Sequence, residues 1–256
     1  MNFKCFHIKV KNEKVFGIFF FSKNYKNKIP IILTHGLADN LNQYPLPQIT
    51  KELLNLGFPV LRFDFRGCGN SEGKEENFSI SSQIEDLERI IRFAKRKTKS
   101  DKVGIISKSI SCVASFIFAS ERNDIAFIVA LGAPLNIDKY WTKDEISIAK
   151  EKGYIFFKGF KYGYKLAEES IKFKEVYKNS LKKISIPVLL IRGERDEVVT
   201  SEEAKELYSL IPSRNKKLIE IRNADHSFKT EESNIYELLS SIRSFLNELK
   251  LGNAAK

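Results

Sequence analysis

The expected fold is decided by the segment Lys102-Val103-Gly104-Ile105-Ile106-Ser107-Lys108-Ser109-Ile110-Ser111-Cys112-Val113-Ala114-Ser115. Its first half, Val103 to Ile106, is a short β-branched run and predicts a buried strand. Its second half opens the apolar run from Cys112 to Ala119, which predicts a helix. Ser109 lies between the two, so the segment predicts a strand, a sharp turn with a serine at its apex, and a helix.

A serine at such an apex stands clear of the sheet, and the next backbone amide, that of Ile110, faces the same space. Turns of this kind usually have glycine two residues before and two residues after the serine, because strand and helix approach closely there. Here Ser107 and Ser111 occupy those positions. Serine is small enough to fit, but either residue becomes the apex if the register differs by two.

The length of 256 residues suits one large α/β domain. The hydrophobic share of 43% and the charged share of 29% are typical of a soluble globular protein. No apolar run is long enough to cross a bilayer. The run from Val15 to Phe21 is followed by no small-residue cleavage site, so we interpret it as a strand and expect a cytoplasmic protein.

The formal net charge of +11 raises the question of an anionic partner. Basic residues are scattered among acidic ones, and the one tight run, Lys95 to Lys99, suits the solvated end of a helix. We therefore expect no nucleic-acid partner. Three widely spaced cysteines predict free thiols. The three histidines lie far apart in the sequence, so no metal is expected. We also expect no other cofactor.

Strand and helix patterns alternate along the chain and predict an α/β fold: a mostly parallel eight-stranded sheet with helices on both faces. The first two strands form an antiparallel hairpin. Besides 103–106, strands are expected at 3–10, 15–22, 29–34, 58–65, 126–131, 186–191 and 217–221. Helices are expected at 41–56, from 79 or 81 to 96, from about 200, and at 233–249.

Loops at the carboxyl ends of parallel strands usually hold the functional site of such a fold. Gly36, in the loop after strand 29–34, lets the backbone bend closely and leaves the Leu37 amide free to donate. The glycine-rich loop at 64–73 has neither a Walker lysine nor G-x-G-x-x-G spacing, so nucleotide binding is not expected. Asp196 and His226 follow the last two strands.

The segment from 135 to 185 interrupts the alternation and is predicted to be helical, without strands. An insertion of this size between two sheet strands is expected to cap their carboxyl ends. Its aromatic residues either line an apolar pocket or hold the insertion together, and spacing does not separate the two roles. We expect Trp141, Phe157 and Phe160 to contact substrate.

In order along the chain, the candidate groups are a serine, an acid and a histidine, each just past a different strand. This order resembles that of the α/β-hydrolase family, and the resemblance covers essentially the whole chain. It rests on His35-Gly36, Asp64-x-Arg66-Gly67-x-Gly69-x-Ser71, the turn at Ser109, Gly193-x-x-Asp196 and Asp225-His226. Within the family, the chain looks most like feruloyl and cinnamoyl esterases, with monoacylglycerol lipases as near relatives.

The resemblance implies a serine hydrolase that cleaves small-molecule carboxylic esters with a short or aromatic acyl group. It assigns Ser109 as nucleophile, His226 as general base and Asp196 as the acid that orients the imidazole. The amides of Leu37 and Ile110 would form the oxyanion hole, with His35 and Gly36 beside the substrate. Glu194, Glu197 and Asp225 remain alternative acids, although only Asp196 has a glycine three residues before it.

The altered turn keeps two other functions open. One is a non-catalytic binding protein with this fold, and the other is acyl transfer to an acceptor other than water, or peptide hydrolysis, with the same residues. Oligomeric state is not readable from the sequence.

Overall fold

A computed structural model describes residues 2–22, 25, 28–157 and 159–249, with only the backbone of Phe157 and Phe160. Its strands are β1 Asn2–Val10, β2 Glu13–Phe21, β3 Ile31–Thr34, β4 Val60–Phe63, β5 Val103–Lys108, β6 Ile125–Leu131, β7 Tyr154–Phe157, β8 Phe160–Gly163, β9 Val188–Gly193 and β10 Lys216–Ile221. Its α-helices are α1 Leu46–Asn55, α2 Ile80–Thr98, α3 Ser111–Ala119, α4 Lys143–Lys152, α5 Tyr164–Lys172, α6 Lys174–Leu181, α7 Ser201–Leu210 and α8 Glu232–Glu248.

The main sheet has eight strands in the order β1-β2-β4-β3-β5-β6-β9-β10. β1 pairs antiparallel with β2, and β2 pairs antiparallel with β4. From β4 to β10 every neighbouring pair is parallel. The predicted fold class, a mostly parallel eight-stranded sheet in an α/β protein, is therefore confirmed.

Helices cover both faces of the sheet, which explains why its central strands are apolar on both sides. β3 and β5 are buried along their whole length. One core forms between the sheet and helices α2, α3 and α7, and it continues into the insertion. The other core forms against α1 and α8. This two-sided burial holds the carboxyl ends of β5, β9 and β10 in fixed positions.

Two predicted elements differ from the structure. Helix α1 begins at Leu46 and not near residue 41, because a proline at position 45 has no amide hydrogen and fits only before or within the first turn. The insertion also contains an antiparallel hairpin, β7 and β8, where no strand was expected. Its strands are short and rich in aromatic residues, which favour extended backbone.

The basic run at 95–99 lies at the end of α2, as its composition predicts. Lys95, Arg96 and Lys97 occupy the last turn, and Lys99 ends the helix in the left-handed conformation. Cationic side chains there face the negative end of the helix dipole. Lys95 also binds the Asp124 carboxylate at 2.9 Å.

Candidate active site

Ser109 occupies the tight turn between β5 and α3. Its φ of +56° lies in the left-handed region, which a non-glycine residue rarely adopts. Its amide donates to the Leu131 carbonyl at 2.8 Å, and its carbonyl accepts from the Cys112 amide at 2.9 Å. Contacts on both sides thus hold a strained backbone, and such strain is frequent at functional sites.

The two serines in the glycine positions have structural contacts instead. The Ser107 hydroxyl lies 2.6 Å from the Ser115 hydroxyl, and the Ser111 hydroxyl donates to the Lys108 carbonyl at 2.9 Å. Both side chains are fully buried. Serine therefore fits where glycine is usual because each hydroxyl has a partner, and the apex of the turn is Ser109.

A histidine and a carboxylate lie next to the Ser109 hydroxyl. The Nε2 atom of His226 is 3.0 Å from Ser109 Oγ, and its Nδ1 atom is 2.8 Å from Asp196 Oδ2. The other Asp196 oxygen accepts from the amides of Val198 and Val199, at 2.9 Å each. The Asp196 side chain is fully buried and that of His226 is 15% exposed. The fold thus brings the three predicted residues together in one hydrogen-bonded chain.

The alternative acids face elsewhere. Glu194 accepts from the Asn223 amide, and Asp225 accepts from the amides of Ser227 and Lys229 within its own loop. Glu197 is exposed. Of these acids, Asp196 is the one whose carboxylate contacts His226.

The imidazole packs directly on the backbone of Gly132, which follows β6. A Cβ atom at this position would lie 2.8 Å from His226 Cε1, and the φ of Gly132 is +56°. A side chain here would therefore displace the ring. β6 lies between β5, which leads to Ser109, and β9, which leads to Asp196. The chain after β6 therefore passes next to His226, and Gly132 leaves room for the ring.

The amides of Leu37 and Ile110 are the candidate oxyanion donors. Both residues line the cavity that contains Ser109 and His226. Neither amide donates a hydrogen bond within the described part of the chain. Gly36 brings the first loop close, since a Cβ atom there would lie 3.2 Å from Ser109 Cβ. Two free amides from different loops can thus face one oxygen atom.

His35 needs a correction, because its side chain was expected beside the substrate. The imidazole is fully buried: Nδ1 lies 2.9 Å from the Gly36 carbonyl, and Nε2 accepts from the Phe65 amide at 3.1 Å. Burial lowers the pKa of His35 to about 4, with a smaller contribution from the charge of Lys108. We therefore assign His35 to the support of the loop, as a neutral ring.

The cavity has a volume of about 150 Å³. Of the residues expected beside the substrate, Gly36 and Trp141 line it. The side chains of Phe157 and Phe160 lie outside what the structure describes. Its wall also contains residues that the sequence did not single out: Ala38, Asp39, Gln43, Lys108, Tyr140, Leu166, Ser170, Val198 and Ser227. The insertion contributes four of the lining residues, on one side of the cavity.

Lys108 is the one of these with a recognisable sequence signal. Lysine is almost never fully buried unless it is paired. Lys108 is nevertheless the last residue of the buried strand β5, directly before Ser109. Its ammonium group lies 3.1 Å from Asp39 Oδ2 and 3.3 Å from the Tyr44 carbonyl. Both side chains of the ion pair are nearly inaccessible to solvent, at 6% and 5%.

The glycine-rich loop at 64–73 has a structural role in the described chain. Asp64, at its start, is fully buried and accepts from the amides of Leu41 and Asn70. It therefore ties this loop to the loop that contains Leu37. In the described residues, acidic, cysteine and histidine side chains nowhere form a group of three or more suited to a metal ion.

Comparison with known proteins decides the family. A family model described as acyl transferase matches residues 6–247. The chain belongs to the acyl transferase family. An acyl transferase of Photobacterium phosphoreum is 25% identical over 236 residues, which cover 86% of this chain and 76% of that relative.

Several solved structures have the same fold as this member of the acyl transferase family. Est1E from Butyrivibrio proteoclasticus, with ferulic acid bound, aligns with a TM-score of 0.83 at 18% identity, over 95% of this chain and 98% of its own. The monoacylglycerol lipase of Paleococcus ferrophilus aligns with a TM-score of 0.76 at 20% identity, over 92% and 99%. These two structures confirm the predicted resemblance to α/β-hydrolases at the level of the fold. No helix in the described residues has the length and hydropathy of a membrane span.

Proposed function

We propose that the protein is a serine enzyme that cleaves small carboxylic esters through an acyl-enzyme on Ser109. The observation that carries this proposal is the hydrogen-bonded chain Ser109–His226–Asp196 at the wall of a cavity. A serine hydroxyl is a poor nucleophile at neutral pH, and a base within 3.0 Å can take its proton as it attacks. The esterase-like fold and the family both agree with acyl chemistry.

In the first step, Ser109 Oγ bonds to the ester carbonyl carbon while its proton moves to His226 Nε2. Asp196 Oδ2 accepts from Nδ1, which fixes the ring tautomer and stabilises the imidazolium. The two valine amides on the other Asp196 oxygen keep that carboxylate oriented. Collapse of the tetrahedral intermediate breaks the bond to the alcohol oxygen, and the alcohol leaves with the proton from His226.

The negative oxygen of the tetrahedral intermediate would accept from the amides of Leu37 and Ile110. Loss of one such donor typically raises the barrier by about 3 kcal/mol. In the second step water attacks the acyl carbon, gives its proton to His226, and the acid leaves as Ser109 recovers its hydrogen. His226 therefore acts first as base and then as acid in each step. It takes a proton from Ser109 in the first step and returns one to Ser109 in the second.

The cavity supports a small acyl group. The cavity volume of about 150 Å³ is close to that of a cavity that accepts a benzene-sized molecule. Tyr140, Trp141 and Leu166, on the insertion side, supply an apolar wall. A short or aromatic acyl group fits this space. We accordingly propose that residues 135–185 act as a cap that sets acyl size.

Burst kinetics test the proposal. Mixing the protein with p-nitrophenyl acetate and p-nitrophenyl benzoate should release one equivalent of p-nitrophenolate per protein before the steady state, if deacylation is the slower step. Acid quench and intact mass should then detect the added acyl group. A protein that turns over neither ester and gains no acyl mass would contradict the proposal and favour a non-catalytic binding protein.

The family match favours a second candidate, in which an acceptor other than water takes the acyl group. The first step is the same, and the acceptor's hydroxyl, thiol or amine gives its proton to His226 in the second. Adding methanol, a small thiol or an amine during turnover separates the two. A transferase forms the new ester, thioester or amide in preference to the acid, whereas a hydrolase yields mainly acid. Comparing the turnover of esters, thioesters and amides as acyl donors shows which leaving group the enzyme prefers.

A further inference from the structure

We propose that Tyr162 and Lys108 are positioning residues for the oxyanion hole: from two separate strands they hold the loop that presents the Leu37 amide. The inference rests on the proposed function. It assigns a purpose to the polar contacts of two buried side chains that take no part in the proposed proton transfer. Tyr162 belongs to the insertion, so the catalytic geometry would depend on how the insertion sits on the sheet.

Tyr162 reaches the loop from strand β8. Its hydroxyl accepts from the Ala38 amide at 2.7 Å, and its side chain is 1% exposed. Burial raises the pKa of Tyr162, so the group is a neutral phenol. Ala38 is the residue directly after Leu37, and its φ of +56° places it in the left-handed region. The contact therefore holds a residue in a strained conformation. It also gives the Ala38 amide an acceptor of its own, so that this amide does not compete with that of Leu37 for the reacting oxygen.

Lys108 reaches the same loop from the end of β5. Its ammonium group donates to Asp39 Oδ2 at 3.1 Å and to the Tyr44 carbonyl at 3.3 Å. Asp39 lies two residues after Leu37, and Lys108 directly precedes Ser109. The ion pair thus joins the chain that carries one oxyanion amide to the chain that carries the nucleophile and the other amide, at Ile110.

The cost of this ion pair argues for a role beyond stability. Removing two opposite charges from water is expensive, and a well-packed apolar pair of similar volume is often as stable or more stable. Burial accordingly raises the pKa of Asp39, against the lowering effect of Lys108. A charged pair in the cavity wall is better explained by the directional bonds it makes than by the stability it adds.

The hairpin that carries Tyr162 is itself anchored to the sheet domain. The Lys161 ammonium group pairs with Glu76, and its backbone amide donates to Glu75 at 3.3 Å. The Tyr162 ring also packs edge-on against Phe78, with ring centres 5.8 Å apart. These contacts fix the hairpin on the segment 75–78, and the Tyr162 hydroxyl then joins the hairpin to Ala38.

Tyr162→Phe tests the inference with little change in packing, because only the hydroxyl is lost. The matched control is Tyr177→Phe. Tyr177 is also a fully buried tyrosine of the insertion, and its hydroxyl donates to the Pro134 carbonyl at 3.0 Å, away from the loop. Both variants lose the hydrogen bond of one buried phenol, so a general loss of stability should affect both.

The readout is the ratio of kcat/KM for an ester to that for the matching thionoester. Sulfur is a weak hydrogen-bond acceptor, so reaction at a thiocarbonyl gains less from the oxyanion donors. Misplacing a catalytic group by about 1 Å can cost about 100-fold in rate. We expect Tyr162→Phe to lower kcat for the ester about 10- to 100-fold with KM within about twofold, and to reduce the ratio about fivefold or more.

Tyr177→Phe should keep the wild-type kcat and ratio while its melting temperature falls. An unchanged ratio in Tyr162→Phe, or an equal fall in both variants, would overturn the inference for Tyr162. If the wild type itself has no activity and no reactive Ser109, the proposed function fails first. A wild type that is active at Ser109 while Tyr162→Phe behaves like Tyr177→Phe refutes the positioning role alone.

The variants Lys108→Met and Lys95→Met test the contact between Lys108 and Asp39. Lys95 also binds a buried carboxylate, that of Asp124, far from the cavity. Lys108→Met should reduce kcat and the ester-to-thionoester ratio as Tyr162→Phe does, and Lys95→Met should change only the melting temperature. A wild-type ratio in folded Lys108→Met would overturn the role of Lys108.

Discussion

His226 Nε2 lies 3.0 Å from Ser109 Oγ, although 117 positions separate the two residues in the sequence. The contact forms because the loops after β5 and β10 open at the same edge of the sheet. The third residue, Asp196, comes from the loop after β9 and holds the far side of the ring at 2.8 Å. Three separate strand ends thus supply one hydrogen-bonded chain of side chains.

Asp196→Asn should reduce kcat by about four orders of magnitude, the effect that the equivalent change has in other serine hydrolases. The amide cannot hold His226 in the tautomer that leaves Nε2 free to accept a proton. Glu197→Gln is the control, because Glu197 is exposed and next in sequence. Steady-state kinetics with p-nitrophenyl acetate measure both. Equal activities in the two variants would contradict the role of Asp196 in orienting His226.

Gly132→Ala should lower kcat about 10- to 100-fold, because the added methyl group would occupy space taken by the His226 ring. Gly153→Ala is matched to it: Gly153 also has a positive φ, of +78°, but no atom lies within 4 Å of the added Cβ. Both variants pay the backbone cost of about 1 kcal/mol. Kinetics and urea unfolding separate the two effects, and equal kinetic losses would contradict the packing explanation.

His35→Gln should flatten part of the pH dependence of stability. Burial lowers the pKa of His35 from 6.5 to about 4, so between these values the unfolded state binds a proton that the folded state does not. The contribution to the free energy of unfolding is therefore full above pH 6.5 and decreases by about 3 kcal/mol as the pH falls to about 4. Urea unfolding of both proteins from pH 4.5 to 7.5 measures it, and parallel curves would argue against a neutral, buried His35.

Leu166→Ala should shift substrate preference towards longer acyl groups, since Leu166 is buried and lines the cavity. Leu181→Ala removes the same atoms from the core of the insertion, where they do not line the cavity. Both variants should lose about 2 to 5 kcal/mol of stability. A series of p-nitrophenyl esters from acetate to octanoate should then show a shifted optimum for Leu166→Ala alone. The same profile in both variants would contradict the assignment of Leu166 to the acyl site.

The sequence predicted the sheet and the order of the site residues because both depend on local patterns. Buried strands appear in the sequence as continuous apolar runs, and Ser109 and Asp196 follow such strands. The strand before His226, β10, is half-buried and carries charged residues. The turn at Ser109 was harder, since Ser107 and Ser111 replace the usual glycines. Only the structure gives the partners that make those serines fit: Ser115 for one, and the Lys108 carbonyl for the other.

Two features escaped prediction because they depend on contacts between distant segments. The role of His35 follows from the Phe65 amide, 30 positions away, which turns the ring into the core. The Tyr162–Ala38 contact spans 124 positions and requires the β7–β8 hairpin that the sequence analysis missed. Aromatic residues in short runs predict strands only weakly when no neighbouring strand is known.

The most direct test of the central claim is the site of covalent modification by a fluorophosphonate probe. We expect one adduct per protein, mapped by peptide mass to Ser109, absent from Ser109→Ala and retained in Ser111→Ala. A probe that leaves the folded wild-type protein unmodified, or that modifies a residue other than Ser109, would contradict it.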